Sequence, residues 1–77
     1  MPRIVRLASV TIYIHADDHA PPHFHVVGPD ANFIVSIERL HVIRGQYKAT
    51  ALAEAIDWAA RNQPLLRIKW NEFNERD

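Results

Sequence analysis

The first half of the chain alternates apolar and polar residues, and this period of two is typical of half-buried β-strands. The clearest case is 10–15, where Val, Ile and Ile alternate with Thr, Tyr and His. The same pattern predicts further strands over 1–8, 23–27, 32–37 and 40–44. The sequence therefore predicts an antiparallel meander of four strands, or of five if the short N-terminal segment takes part at an edge.

The period changes to that of an α-helix over 47–62, where two apolar stripes run side by side, one through Leu52 and one through Ala55. Pro64 suits the first turn of a second helix. One side of this helix carries Leu66, Trp70 and Phe73. The polar tail 74–77 is expected to fray. Two helices after an antiparallel sheet predict an α+β fold in which a helical hairpin packs on one face of the sheet.

The 77 residues contain no internal repeat, low-complexity segment or linker, so we expect a single domain over 1–77. A domain of this size buries only about 60% of the surface that its unfolded chain exposes, which predicts a thin core. No apolar run approaches the roughly 20 residues that span a bilayer, and the N-terminus lacks the pattern of a signal peptide. These observations predict a cytoplasmic protein that makes no membrane contact.

The charge and cysteine content limit the kinds of binding and catalytic site that the chain can form. Nine Lys plus Arg residues balance nine Asp plus Glu residues, so the net charge gives no long-range attraction to nucleic acid, although a local basic patch is allowed. Cysteine is absent, which excludes disulfides, thiolate zinc sites and cysteine nucleophiles. Any bound metal ion would need His, Asp or Glu ligands.

The segment 17–25, Asp-Asp-His-Ala-Pro-Pro-His-Phe-His, is the strongest candidate for a functional site. Pro21 and Pro22 support it by stiffening the connection between two strands, because proline fixes φ and restricts the residue before it. His23 and His25 are two positions apart on a predicted strand, so their imidazoles face the same side.

The alternation of side chains between the two faces of a strand extends the candidate site to the preceding strand. If Phe24 faces the core together with Ile12, the imidazoles of the returning strand lie on the same side as Tyr13 and His15. A hairpin would place these side chains on neighbouring strands, about 5 Å apart. Tyr13 and His15 are therefore predicted as supporting residues, and His41 could join the same face from the last strand.

Two kinds of chemistry fit this segment. In the first, the side chains bind a divalent metal ion such as zinc, and the candidate ligands are His23, His25 and His19. Asp18 and His15 are further donors nearby. The spacing permits a metal site but matches no standard helical or cysteine-containing motif. The alternative without a metal is a hydrogen-bonded loop in which Asp18 accepts from backbone N–H groups.

In the second, the histidines act as acid–base catalysts of RNA cleavage, which needs no cofactor. Attack by the 2′-hydroxyl requires a base, an acid and a group that stabilises the developing charge. Asp18 would orient an imidazole, and Arg39 or Arg44 would contact the phosphate. The candidates for proton transfer are His19, His23 and His25. Exposed histidines are also common without a catalytic role, so the residues alone leave open whether the protein is an enzyme.

The aromatic residues of the two predicted helices, Trp58, Trp70 and Phe73, admit two interpretations. Aromatic residues at helical spacing form core far more often than a base-stacking platform. If part of this surface stays exposed, a protein partner or a second copy of the chain would cover it.

The string Asp-His-Ala-Pro-Pro-His-Phe-His at 18–25 resembles the D-H-x-P-P-H-F-H signature of a family of small bacterial proteins. The family is catalogued as a domain of unknown function, and some members are labelled DhiT-type toxins of type II toxin–antitoxin systems. The resemblance extends over nearly the whole chain, with Trp58 and Trp70 in similar places of the helical end. The chain departs from the family pattern at 8–9 and at 38–40, where members often have glycine.

The resemblance implies a small cytoplasmic protein that is encoded beside a small antitoxin-like partner. The resemblance implies that the positions matching the signature form the functional site. These positions are Asp18, His19, Pro21, Pro22, His23, Phe24 and His25. The leading hypothesis is a toxin-like component that acts on RNA or on the translation machinery, including the ribosome, through the histidine face. The alternative is a non-enzymatic, metal-binding module that recognises a protein partner or regulates transcription.

Overall fold

The computed structural model describes residues 3–16 and 18–74, which form a five-stranded antiparallel sheet followed by two helices. The strands, β1 to β5 in chain order, are Arg3–Arg6, Thr11–Tyr13, His23–Gly28, Ala31–Ser36 and Val42–Gln46. The helices α1 and α2 are Ala49–Arg61 and Gln63–Asn74. Each strand pairs with its neighbours in sequence, so the sheet is a meander in the order β1-β2-β3-β4-β5. Neither of these helices has the length and apolar character needed to cross a bilayer.

This architecture confirms the α+β fold that the hydrophobic pattern predicts, with the two helices packed on one face of the sheet. The N-terminal segment does form a strand, β1, at one edge, so the meander has five strands. The last strand begins two residues later than predicted, because the turn continues through Leu40. The N–H of Leu40 donates to the Ser36 carbonyl at 2.8 Å, and Leu40 has a φ of 55°. This left-handed conformation favours glycine, and Leu40 adopts it despite its side chain.

The core lies between the sheet and the helices. Alternate residues of the central strands face it and are almost fully buried: Ile12, Phe24, Val26, Phe33 and Val35. The helices contribute Ala51, Ala55, Ala59, Leu66 and Trp70. Each large apolar side chain stabilises the fold by about 1.5–3 kcal/mol when it is buried. Of the two stripes predicted for α1, the one through Ala55 faces the sheet, whereas Leu52 on the other is only half-buried.

The opposite face of the sheet carries the residues that alternate with the core positions. The register places five of them in one row across all five strands: Arg3, Tyr13, His25, Ile34 and Arg44. A second row runs beside it through Arg6, Thr11, Val27, Asn32 and Gln46. These side chains are exposed or half-buried, since the described helices pack against the other face. We call the surface formed by these two rows the open face.

Gly45 is a position in β5 where a side chain cannot be accommodated. Its φ is 114°, and a Cβ atom there would overlap the backbone carbonyl of Asn32 and the backbone of Phe33 on β4. Gly45→Ala should therefore lower the free energy of unfolding by about 1–3 kcal/mol. Thermal unfolding followed by circular dichroism measures this, with the exposed neighbour Gln46→Ala as the control. Equal melting temperatures for the two variants would contradict the assigned backbone.

Candidate functional site

Three polar side chains converge at the start of β3. Oδ2 of Asp18 lies 2.9 Å from Nε2 of His23 and 3.1 Å from Nε2 of His25. The three atoms all lie within 4.8 Å of one another. We call this group the Asp18 cluster.

The strand pairing explains why two of these side chains lie together. His23 and His25 belong to β3 and face away from the core position of Phe24, as the two-residue period of a strand requires. The register pairs His25 with Tyr13, the last residue of β2. The chain leaves the sheet after Tyr13 and returns at His23, and the connecting loop brings Asp18 over the imidazoles.

Asn74, at the end of α2, fastens this loop to the helix. Its side-chain N–H donates to the carbonyl of His15 at 2.9 Å, and its side-chain oxygen accepts from the backbone N–H of Asp18. Asp18 in turn accepts the backbone N–H of His19 on Oδ1 at 2.8 Å. Because Oδ1 is engaged in this way, Oδ2 is the oxygen that faces the imidazoles.

His23 is the most firmly held member of the cluster. Its Nδ1 lies 2.8 Å from the carbonyl oxygen of Pro21, which follows a cis Ala20–Pro21 peptide bond. Its ring packs on Trp70 with 5.0 Å between centroids, and the residue is only 7% exposed. A carbonyl oxygen only accepts, so the proton of this hydrogen bond is on Nδ1. Nε2, the other ring nitrogen, lies 2.9 Å from Oδ2 of Asp18.

The negative charge of Asp18 restricts how its carboxylate can contact His23. Burial opposes ionisation, but the hydrogen bonds from the His25 side chain and the His19 backbone, together with the charge of His23, lower the pKa of Asp18 from 3.8 to about 2. A carboxylate oxygen and the lone pair of a neutral His23 would repel each other at 2.9 Å. The pair therefore requires a cation between the two atoms, either a proton on Nε2 or a metal ion.

Tyr13 and His15 lie beside the cluster, on the side that strand parity predicts. The rings of His15 and His25 meet edge to face with 3.9 Å between centroids, and Tyr13 stacks on His15 at 6.5 Å. Burial and the neighbouring charge of His25 lower the pKa of His15. This shift favours the uncharged form of His15, whose ring packs against the cluster.

A pocket of about 200 Å³ opens beside the cluster. Its polar lining consists of Asp18, His19, His23, His25 and Arg44. The guanidinium of Arg44 is the permanent positive charge of this lining. The pocket therefore combines imidazole groups with a cation that can bind phosphate or carboxylate.

The structure distinguishes between metal-ligand candidates that sequence spacing alone could not distinguish. The metal ligands predicted from the sequence are His23, His25 and His19, whereas Asp18 is the third residue whose ligand atom converges with those of His23 and His25 among residues 3–16 and 18–74. His19 is exposed and lines the pocket. It is therefore placed to meet a bound molecule rather than to complete the cluster.

The structure also distinguishes between the two arginines that the sequence suggests as phosphate contacts. Arg44 lies on β5 in the open face and lines the pocket, whereas Arg39 lies in the exposed turn after β4 and does not line it. His41 is exposed just before β5 and likewise does not line the pocket. Pro22 supports the site through its carbonyl, which accepts the N–H of Ile37 at 3.1 Å and ties the loop to the end of β4.

Sequence reasoning missed two roles of α2. The tail 74–77 is predicted to fray, but Asn74 belongs to the helix and binds the loop. Residues 75–77 lie outside the described residues, as does Asp17. Trp70 is predicted as core, and it also packs on His23. A signal was available, because Asn74 follows Trp70 by four positions and so lies on the same side of the helix.

The chain belongs to a family described as a domain of unknown function, DUF4160, whose family model matches residues 9–71. The match includes all three members of the Asp18 cluster. No curated protein and no solved structure matches the chain. The family description assigns no activity.

The hydrogen bonds of Asn74 predict that the loop depends on this side chain. Asn74→Ala should lower the free energy of unfolding by about 1–3 kcal/mol, because two half-buried backbone groups, the N–H of Asp18 and the carbonyl of His15, lose their hydrogen bonds. It should also speed amide hydrogen exchange at Asp18. Asn71→Ala, an exposed position on the same helix, is the matched control. If both variants unfold and exchange alike, α2 does not hold the loop.

Proposed function

We propose that the chain is a toxin-like component of a bacterial type II toxin–antitoxin module, that it acts on RNA, and that a small partner protein neutralises it. The proposal that the chain acts on RNA rests on the distribution of charge on the open face. The resemblance of 18–25 to the signature of DhiT-type toxins supports the two-component part.

The neutral net charge conceals a separation of charge. The five strands contain no Asp or Glu, while the open face carries Arg3, Arg6 and Arg44. Acidic residues of the described chain lie on the loops and helices, as Glu54 and Asp57 do on α1. A positive surface attracts the phosphates of a nucleic acid even when the whole protein is neutral.

The first row of the open face is suited to a single strand of RNA. Arg3 and Arg44 lie at its two ends on the edge strands, with Tyr13 and His25 between them. Four strand spacings of about 4.8 Å separate the two arginine backbones by roughly 19 Å. Arginines that contact phosphates, with aromatic rings between them for bases, are the usual means of holding unpaired nucleotides.

The pocket at the middle of this row supplies groups for cleavage. His25 takes the proton of the 2′-hydroxyl, the 2′-oxygen attacks phosphorus, the bond from phosphorus to the 5′-oxygen breaks, and a proton from His19 passes to that oxygen. Arg44 stabilises the added negative charge on the phosphate. The His23 side chain is only 8% exposed, against 20% for His25, so His23 positions the carboxylate of Asp18 rather than meeting the substrate.

Expression in bacteria tests this function. Induction of the wild-type chain should slow growth, and His25→Gln should restore it, because the base is lost while the size of the side chain is kept. His41→Gln is the control, since His41 is exposed and lies outside the pocket. Co-expression of a small partner encoded beside the gene should also restore growth. Normal growth with well-expressed wild-type protein would remove the toxin proposal.

Purified protein tests the RNA part separately. Arg44→Gln should weaken binding to single-stranded RNA and lower the salt dependence of binding by about one phosphate contact, a slope change of roughly 0.7. Arg61→Gln on α1, where Arg61 pairs with Asp57, removes the same charge outside the open face. Equal losses in the two variants would mean that RNA does not use the open face.

A further inference from the structure

We propose that Asp18, His23 and His25 bind one divalent transition-metal ion through Oδ2, Nε2 and Nε2. This inference rests on the geometry of the cluster and does not depend on the RNA proposal. It replaces the ligand set that spacing suggests, in which His19 takes the place of Asp18.

The distances from Oδ2 of Asp18 to the two imidazole nitrogens match those between ligands of one metal ion. Two atoms that each lie about 2.1 Å from a metal are about 3.0 Å apart when the angle between them is 90°, and about 3.4 Å apart at the tetrahedral angle. Oδ2 of Asp18 lies 2.9 Å and 3.1 Å from the two Nε2 atoms. The three atoms lie within 4.8 Å of one another, and an ion bound by all three would hold the two imidazole nitrogens no more than about 4.2 Å apart.

The atoms around the cluster orient these ligands in the way that metal sites require. A metal-binding histidine almost always donates its other N–H to a carbonyl or carboxylate, which fixes the tautomer. His23 does this with the Pro21 carbonyl at 2.8 Å. Oδ1 of Asp18 accepts the backbone N–H of His19, and Asn74 accepts the backbone N–H of Asp18. These contacts hold the ligand atoms in place before any ion arrives.

A metal ion also resolves the contact between two acceptors. When Nδ1 of His23 donates to the Pro21 carbonyl, Nε2 can meet Oδ2 of Asp18 through a proton or through a metal ion. A proton joins only this one pair of atoms. A divalent ion accepts electron pairs from all three groups at once. The proton is the competing outcome of the test.

The donor set indicates the class of ion. Two imidazoles and one carboxylate suit zinc, iron(II), cobalt(II) or nickel(II), and the absence of thiolate disfavours copper(I). Three protein ligands leave at least one coordination position free, which is the arrangement of catalytic rather than structural zinc sites. The pocket of about 200 Å³ that contains Arg44 lies beside the cluster, so an anionic group could reach that position.

Metal titration of untagged, chelator-treated protein tests the inference. Isothermal titration with Zn²⁺ should show one equivalent bound, and the melting temperature should rise when the ion is added. Co²⁺ should give the visible absorption bands of a site with nitrogen ligands. His25→Gln and Asp18→Asn should each weaken Zn²⁺ binding by about 100-fold or more, while His41→Gln should leave it unchanged. Asn74→Ala should weaken binding by about 10-fold, as removal of a group that orients a ligand does.

Two results would overturn the inference. The first is wild-type protein that binds no stoichiometric Zn²⁺, Co²⁺, Ni²⁺ or Fe²⁺ and gains no thermal stability, because a proton then occupies the cluster. The second is loss of binding in His19→Gln with binding retained in Asp18→Asn, because the ligand set is then wrong. Circular dichroism of each variant shows whether it is folded, and the wild-type titration decides the proposal if a variant is not. Failure of RNA binding with intact metal binding would contradict only the proposed function.

Discussion

One carboxylate oxygen, Oδ2 of Asp18, is shared by two imidazoles, and the parts of the structure around the site serve to hold that contact. Strand β3 presents His23 and His25 on one side, and the loop returns Asp18 to them. Helix α2 fastens the loop through Asn74 and covers His23 with Trp70. The small domain thus uses its second layer to fix a polar site as well as to bury a core.

This arrangement depends on the difference between the two faces of the sheet. The covered face is apolar and stabilises the fold, which leaves the other face free to carry charge. Because the strands contain no acidic residue, the arginines of the open face form a positive surface on a protein whose net charge is zero. The Asp18 cluster lies where this surface meets the loop.

Hydrophobic periodicity was enough to predict the fold. It predicted the candidate site only in part. A period of two assigns each strand residue to a face, which correctly places Tyr13 on the same side as His25. Periodicity does not give the register, so the row from Arg3 to Arg44 could not be derived from the sequence. Loop conformation follows from contacts distant in sequence, such as those of Asn74, and spacing alone therefore favoured His19 over Asp18 as a ligand. The net charge carries no information about faces, because it is a sum over the whole chain.

The central claim is that His23 is held with its proton on Nδ1 and its Nε2 aimed at Asp18. Long-range ¹H–¹⁵N correlation spectra of the histidine side chains test this most directly. The account predicts that Nδ1 of His23 is protonated in the folded protein, in the presence and in the absence of a metal ion, because the Pro21 carbonyl accepts that proton. A His23 ring with its only proton on Nε2 and an unprotonated Nδ1 would contradict it.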